Sequence, residues 1–361
     1  MRIYLLSTAV APLGSGLGGG VESMVAAAAR QLLALGHAVQ MIAPVGSIAN
    51  VPDLLTPPGR LALTAIGRHY DDPIPIETHS FLVAALRGLA KQVRPGDAIL
   101  NFSYDWLPLF LSDILPCPLG TLISMGSLNR SLDQEIRYQF AQRPHRLAFL
   151  SRAQAASFGI KDPVRCIPPG LDLTQYRYNA QPDRALGWMG RIAPEKGLED
   201  AFALAARTRI EVTVLGVMQD PVYWAGLVDR YPEAPVRYAG FLNMPALAEV
   251  VRQFRGLLMT PKWLEAFGIV GIEALACGTP VIAYPCGGMS DYVRDGETGW
   301  LVEPDDLDGL ATAVGRIDQI DRARCRAWVE SHYTLAHYGT ALNDWLRALA
   351  APSTDSRGTV A

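Results

Sequence analysis

A chain of 361 residues is longer than one typical hydrophobic core supports, so two domains are expected. It carries 32 Lys and Arg against 35 Asp and Glu, a net charge of −3, and no stretch gathers its cations into the stripe that grips nucleic acid. Half of the residues are hydrophobic, yet no run reaches the ~18 apolar residues of a membrane-spanning helix, so no stable membrane insertion is expected.

The opening run Met1-Arg2-Ile3-Tyr4-Leu5-Leu6 lacks the long apolar region and the small-residue cleavage site of a secretory signal. Five cysteines, at positions 117, 166, 277, 286 and 325, form no Cys-x-x-Cys pair. An odd count without metal-ligand spacing predicts reduced, mostly buried thiols in a cytoplasmic protein. Residues 1–170 hold 14 cations and 11 acids, an excess too small to draw the chain to a membrane surface.

Arg2 to Ser7 reads as the first strand, and a loop from Ala11 to Gly20 follows it. Val21 opens an alanine-rich helix that Gly36 ends, and His37 to Ala43 is the second strand. Strand, glycine-rich loop, helix and strand make a βαβ unit. Gly14-x-Gly16-x-x-Gly19 has the spacing of a dinucleotide fingerprint. The loop, however, is far longer than the tight turn of that motif, and the second strand ends in Ala43-Pro44 with no acid for a ribose. A loop facing a phosphate or a substrate fits better, and no nicotinamide cofactor is expected. Glu22 stands where a first-turn acid is favourable in any case.

Residues 46–80 are irregular and proline-rich, with His69, Tyr70, Asp71, Asp72 and His79 near the end. So long a loop is either functional or a surface insertion. Phe81 to Val93 is helical. Ala98 to Phe102 and Leu119 to Ser124 are strands, followed by Tyr104–Trp106 and by Met125–Asn129. Ligands of open α/β sheets bind at the carboxyl ends of strands, so both segments are candidate ligand walls. Tyr104 and Trp106 read equally as half-buried packing aromatics. Arg146–Leu150 and Val164–Ile167 are the last short strands before Pro168-Pro169-Gly170, and Gly170–Asp183 reads as a hinge.

The second half starts with a strand, Ala185 to Met189, which feeds Gly190-Arg191-Ile192-Ala193-Pro194-Glu195-Lys196-Gly197 and then a helix from Leu198 to Thr208. Two cations and backbone donors at the carboxyl end of a strand make an anion site. Strands at Glu211–Leu215 and Val236–Gly240 follow, the latter leading into Phe241-Leu242-Asn243. Gly256–Met259 is a buried strand that ends at Pro261. A helix comes next, with Ile269, Ile272, Leu275 and Ala276 on one side. Gly278 ends it, Pro280 bars its continuation, and Val281–Tyr284 is another strand.

Glu265 lies in the loop above this helix and Glu273 about a turn and a half inside it. Eight helical residues span about 12 Å, so the two acids are no contact pair. They suit the two ends of one elongated ligand, with a phosphate between them on the backbone N–H groups of Phe267, Gly268 and Ile269. Taken alone, they also fit two solvated helix charges. Beside Arg191 and Lys196 they describe a clamp for a nucleotide sugar. Asp306-x-Asp308 has the spacing of a metal-binding pair but opens a helix after Pro304, where capping is its expected work. Trp328 to Leu349 reads as an amphipathic helix with Trp345 as an anchor, and 352–361 as a disordered polar tail.

These motifs together resemble the family-4 retaining glycosyltransferases of GT-B fold. The resemblance covers nearly the whole chain: Gly-Gly-Val-Glu at 19–22, Gly-Leu-Asp at 170–172, Gly-Arg to Glu-Lys-Gly over 190–197, Glu-x7-Glu over 265–273, Cys-Gly-Thr-Pro-Val-Ile at 277–282, Gly-Gly at 287–288 and Thr-Gly-Trp-Leu-Val at 298–302. It implies an α/β protein of two Rossmann-like domains with a cleft between them. The acceptor domain would take residues 1–170 and the donor domain residues 171–334, with a crossover helix at 335–351 returning to the first domain.

By resemblance, Arg191 and Lys196 hold a diphosphate. Glu273 holds the ribose, and Glu265 holds the sugar with the backbone of Phe267, Gly268 and Ile269. Leu242 lies near the base, and Gly19 and Gly190 also border the donor. Gly16, Gly18, Gly20, Glu22, Tyr104, Trp106, Met125 and Asn129 border the acceptor. Met125 stands where many relatives have a histidine, and Phe102-x-Tyr104-Asp105 replaces their His-x-His-Asp. Lys262 replaces a common small residue and Asp291 a common Glu.

The opening segment from Ser7 to Glu22 looks closer to a narrower group, the cyanobacterial-type UDP-glucose:tetrahydrobiopterin α-glucosyltransferases. That resemblance implies UDP-glucose as donor and a small soluble pterin as acceptor, which could stack on Tyr104 or Trp106. The implied chemistry is front-face displacement without a metal or other cofactor. A lipid or polysaccharide acceptor, a nucleotide-sugar epimerase on the same plan, and a lapsed nucleotide-sugar-binding module remain as alternatives.

Overall fold

The computed structural model describes the chain except residues 16–18, 65–66, 76, 162 and 352–361. The expectations for Gly16, Gly18 and the tail therefore lie outside the described residues. The chain divides into two compact units, one of Met1–Ile167 with Ala336–Ala361 and one of Pro168–Leu335.

The first unit runs β1 (Arg2–Leu6), α1 (Gly20–Ala34), β2 (Ala38–Ile42), β3 (Leu54–Leu55), α2 (Phe81–Gln92), β4 (Ala98–Asn101), α3 (Trp106–Leu111), β5 (Leu119–Ile123), α4 (Arg130–Gln142), β6 (Leu147–Phe149) and α5 (Arg152–Ser157). Its strands pair in parallel in the order β3-β2-β1-β4-β5-β6. The strands are apolar runs rather than alternating ones because helices cover both faces. Ile3, Leu5, Ile99 and Leu100, for instance, have no exposed surface.

The second unit runs β7 (Leu186–Met189), α6 (Leu198–Thr208), β8 (Val212–Leu215), α7 (Pro221–Arg230), β9 (Val236–Tyr238), α8 (Met244–Val251), β10 (Gly256–Met259), α9 (Ile269–Ala276), β11 (Val281–Ala283), β12 (Gly299–Leu301), α10 (Leu307–Arg316) and α11 (Arg322–His332). Its parallel sheet has the order β12-β11-β10-β7-β8-β9. Counted from its own first strand, each sheet follows the doubly wound order in which the winding reverses beside that strand. The reversals fall between β1 and β4 and between β7 and β10. The loops after those strands face the crevices where such sheets take ligands.

The last helix, α12 (Leu335–Ala350), is counted with the first unit from Ala336 on. Trp345 is fully buried and donates Nε1–H to the His145 carbonyl at 2.7 Å, and the Tyr338 hydroxyl donates to the Met24 carbonyl at 3.4 Å.

Three expectations are corrected. The helix expected over Trp328–Leu349 is two helices, broken at Tyr333-Thr334. There Leu171 N–H donates to the Tyr333 carbonyl at 2.7 Å and Leu335 N–H to the Leu171 carbonyl at 3.0 Å, a sheet-like pairing that takes the backbone groups a continuous helix would use. Val164–Ile167 forms no strand. Only Cys166 bridges, to Phe149. The stretch expected as a hinge is fastened within the second unit, through Leu171 and through Asn179 N–H on the Cys277 carbonyl at 3.1 Å. All five cysteines are free thiols.

Candidate active site

The loops after β7 and β10 are stitched into one surface. Gly197 ends the first loop at φ 65°, and a Cβ there would stand 1.9 Å from the Thr260 carbonyl oxygen, so only glycine fits. The Thr260 hydroxyl donates to the Gly197 carbonyl at 2.7 Å and receives Trp188 Nε1–H at 3.2 Å. Lys262 N–H donates to the Glu195 carbonyl at 2.9 Å. The Lys262 side chain turns away from this surface, donating to Asp200 at 2.5 Å and pairing with Asp305. Burial works to lower the Lys262 ammonium, but these two acids raise it above its ordinary value.

Four side chains converge above this seam. Lys196 Nζ donates to Glu265 Oε2 at 2.6 Å, and Trp263 Nε1–H donates to the same oxygen at 3.0 Å. The Lys196 ammonium lies 4.7 Å from the Trp263 ring centroid and the Arg191 guanidinium 6.0 Å. Arg191 also pairs with Glu195 at 2.8 Å and bonds Gln219. Two cations, each paired with an acid, therefore stand beside one indole, with Lys196 and Glu265 each only partly exposed.

The start of α9 closes the arrangement. Gly268 precedes it at φ 80°, and a Cβ would meet Met259 Cε and the Tyr292 hydroxyl, each at 2.9 Å. No side chain caps this helix, so its first N–H groups are left for an anion. The Phe267 side chain is core, 5.3 Å from Tyr292 and 5.6 Å from Tyr333 between ring centroids, so only its backbone N–H could serve a phosphate. The Glu265 backbone is pinned to the loop after β11, its N–H on the Cys286 carbonyl at 2.8 Å and its carbonyl under Gly288 N–H at 3.0 Å.

Glu273 sits inside α9 with a separate partner. The Tyr176 hydroxyl donates to Glu273 Oε1 at 2.9 Å. Burial pushes the Glu273 carboxyl up, and this hydrogen bond offsets part of the rise. The Tyr176 phenol is raised by burial and then by the Glu273 charge. Ile269 is the first residue of α9. Gly190 follows β7, its N–H on the Leu215 carbonyl at 3.0 Å, and the half-buried Leu242 lies in the loop between β9 and α8.

In the first unit, Gly19 precedes α1 and Gly20 opens it, and the Glu22 carboxylate receives Gly14 N–H at 2.8 Å and the Ser15 hydroxyl at 3.3 Å. Glu22 thus ties down the loop after β1. Tyr104 donates to the Gly126 carbonyl at 2.8 Å, and Trp106 stacks on Phe110 at 4.6 Å. Both pack against the core of α4, β6 and α5. Met125 supplies its carbonyl to Gln154 Nε2 at 2.7 Å. The Asn129 side chain caps α4 through Ser131 and Leu132 and donates to the Asp72 carbonyl at 2.7 Å.

Asp306 caps α10, accepting from Gly309 N–H at 2.8 Å, and Asp308 pairs with Arg207 at 2.5 Å. Among the described residues no group of three His, Cys, Asp or Glu side chains could hold a metal ion. A cavity of about 890 Å³ lies at the opposite, amino-terminal edge of the second sheet. Its Arg184, Arg209, Arg237 and Arg255 are balanced by acids on the same walls, so it adds no net charge. Sequence reasoning missed Trp263 and Tyr176. The first stood two residues before the Glu-x7-Glu stretch, and the second lay in the segment taken for a hinge.

Residues 179–331 match the family described as glycosyl transferases group 1. The whole chain is similar to the D-inositol 3-phosphate glycosyltransferase of Kribbella flavida, 28% identical over 94% of this chain and 96% of that one. The enzyme of that name from Rhodococcus jostii is 29% identical over 87% of this chain and 80% of that one. Among solved structures, Anabaena HepE in complex with UDP and glucose has a TM-score of 0.72 at 18% identity, covering 97% of this chain and 100% of its own. AviGT4, a glycosyltransferase involved in avilamycin A biosynthesis, has 0.71 at 19%, covering 98% and 99%. The chain is therefore a protein of GT-B fold whose second unit matches the glycosyl transferases of group 1.

Proposed function

We propose that this protein is a retaining glycosyltransferase that moves glucose from UDP-glucose to a small soluble acceptor without a metal. The observation that carries this reading is the meeting of Arg191, Lys196 and Glu265 around Trp263, beside the uncapped start of α9. The two cations and the first N–H groups of α9 hold the diphosphate. Glu273 takes the ribose hydroxyls and Glu265 the sugar hydroxyls, with Leu242 near the base.

In the reaction the bond from the anomeric carbon to the β-phosphate oxygen breaks, and the acceptor oxygen bonds to the same face. The leaving phosphate takes the acceptor's proton. Arg191, Lys196 and the helix N-terminus stabilise the charge that grows on that phosphate, while Glu265 and the α9 backbone fix the sugar's orientation. UDP-glucose as donor is supported by the fold shared with a protein crystallised with UDP and glucose. The acceptor in this reading is a pterin such as tetrahydrobiopterin, meeting the walls near Tyr104, Trp106, Met125 and Asn129. A second reading, a phosphorylated polyol, is favoured by the names of the similar curated proteins.

The test is a panel of UDP-, GDP- and ADP-sugars incubated with a pterin, with D-inositol 3-phosphate and with no acceptor, and the products weighed by mass spectrometry. A glycosylated pterin from UDP-glucose supports the first reading. A glycosylated inositol phosphate replaces its acceptor by the second. An epimerised donor, or no reaction of any donor, contradicts a transferase.

A further inference from the structure

We infer that Trp263 is a positioning residue that hands Lys196 from Glu265 to the donor's diphosphate while keeping Glu265 aimed at the sugar. This deepens, and rests on, the donor reading above. The indole meets three of the residues assigned to the donor, and it meets them in two different ways. Its face lies under the Lys196 ammonium at 4.7 Å and near the Arg191 guanidinium at 6.0 Å, within the range where the ring's negative face attracts a cation. Its edge donates Nε1–H to Glu265 Oε2 at 3.0 Å.

That oxygen is also the one Lys196 holds, at 2.6 Å. The cation and the acid neutralise each other, and the Lys196 and Glu265 side chains are only 16% and 20% exposed. A diphosphate carries more negative charge than one carboxylate, so it draws Lys196 away from Oε2. A half-buried carboxylate that lost its only donor would be destabilised and free to turn. Here the indole N–H stays on Oε2 and fixes the carboxylate plane, so that Oε1 receives a sugar hydroxyl. The indole face meanwhile holds the ammonium near its new partner, which limits the entropy lost when the phosphate arrives.

Two neighbours keep the indole itself in place. Lys262, next in sequence, is bound to Asp200 at 2.5 Å, and Glu265 is pinned through its backbone to Cys286 at 2.8 Å. The two residues between those anchors, Trp263 and Leu264, have little freedom, so substitutions at 263 test the side chain rather than the loop.

The experiment is isothermal titration of full-length wild type, Trp263→Phe and Trp263→Leu with UDP and, separately, with UDP-glucose. Phe keeps a ring face and loses the N–H, while Leu loses both. The expected result for Trp263→Phe is UDP affinity within about twofold of wild type and a fall of about fivefold in the ratio of UDP-glucose to UDP affinity. Trp263→Leu should weaken UDP itself by about fivefold, and Lys196→Ala/Trp263→Leu should bind UDP no more weakly than Lys196→Ala alone. The inference is overturned if Trp263→Phe leaves both affinities unchanged. It is equally overturned if both substitutions weaken UDP and UDP-glucose by one factor while lowering the melting temperature, since that describes packing alone. A wild type that binds neither nucleotide removes the donor reading as well, whereas normal wild-type binding with indifferent variants removes only the role of Trp263.

Discussion

Tyr176 donates its hydroxyl to Glu273 at 2.9 Å, with the tyrosine buried and the acid half-buried inside the second unit. One hydrogen bond therefore helps decide whether the acid assigned to the ribose is charged. Burial raises the Glu273 carboxyl, and the Tyr176 hydroxyl opposes that rise. Tyr176→Phe removes the opposition, so the carboxyl rises further and the carboxylate form thins as pH falls. The expected outcome is a donor KM increased about tenfold with kcat within about twofold, and an acid limb of donor affinity displaced to higher pH. A variant that lowered kcat and KM-normalised rate alike, with no displacement of the pH profile, would show Tyr176 to be packing only.

The same raised carboxyl has a consequence for stability. Below the ordinary value of 4.5 both folded and unfolded Glu273 are protonated and the acid carries no penalty. As pH rises above that value the unfolded chain ionises first, so folding stability falls until the folded group has ionised too. Glu273→Gln keeps an oxygen for the Tyr176 hydroxyl and removes the titration. Its melting temperature should match wild type near pH 4 and exceed it near pH 7, by about 2–4 °C for each 1 kcal/mol of penalty removed. Donor binding should weaken in the same variant. Thermal scans across pH check the sign, and a variant less stable than wild type at pH 7 contradicts it.

Gly197 joins backbone geometry to the cation that precedes it. At φ 65° and with a Cβ position 1.9 Å from the Thr260 oxygen, alanine cannot be placed without moving β10 or the loop. Gly197→Ala is expected to destabilise by more than the ~1–2 kcal/mol of left-handed backbone alone. It should also weaken UDP binding, because Lys196 moves with its neighbour. Chemical denaturation beside UDP titration measures both, and an unchanged unfolding midpoint contradicts the geometry.

Asp306 is assigned to a helix end and not to a metal. Asp306→Ala should lose about 1 kcal/mol of stability with the bond to Gly309 N–H, while turnover stays within about twofold. Turnover of wild type in EDTA should equal turnover in added magnesium. Activity abolished by chelation, or by Asp306→Ala in a protein that still melts normally, contradicts that assignment.

Much of the second unit was legible because its chemistry is local in sequence. Each candidate loop follows an apolar strand and precedes a helix, so Gly190–Gly197 and Glu265–Glu273 could be located without knowing the sheet order. The order itself, which sets β7 beside β10 and so brings Lys196 to Glu265, is a tertiary fact. Trp263 and Tyr176 were illegible for the same reason. An aromatic beside an acid motif looks like packing until its edge and face have partners, and Tyr176 meets Glu273 across 97 positions of chain. The break at Tyr333-Thr334 was hidden because the pairing that ends α11 comes from distant Leu171. The segments around Tyr104 and Asn129 were easier to locate than to interpret: their polar atoms serve Gly126, Asp72 and the cap of α4 in the structure described.

The central claim is that Lys196 stands on the leaving diphosphate of a sugar donor. The most direct measurement is the rate at which wild type and Lys196→Ala, both shown folded by matched melting curves, convert UDP-glucose and an accepting pterin or inositol phosphate to free UDP and glycosylated product. Wild type should give stoichiometric UDP and product, and Lys196→Ala should lose on the order of 10²-fold or more in kcat. Transfer by Lys196→Ala at a rate near that of wild type would contradict it.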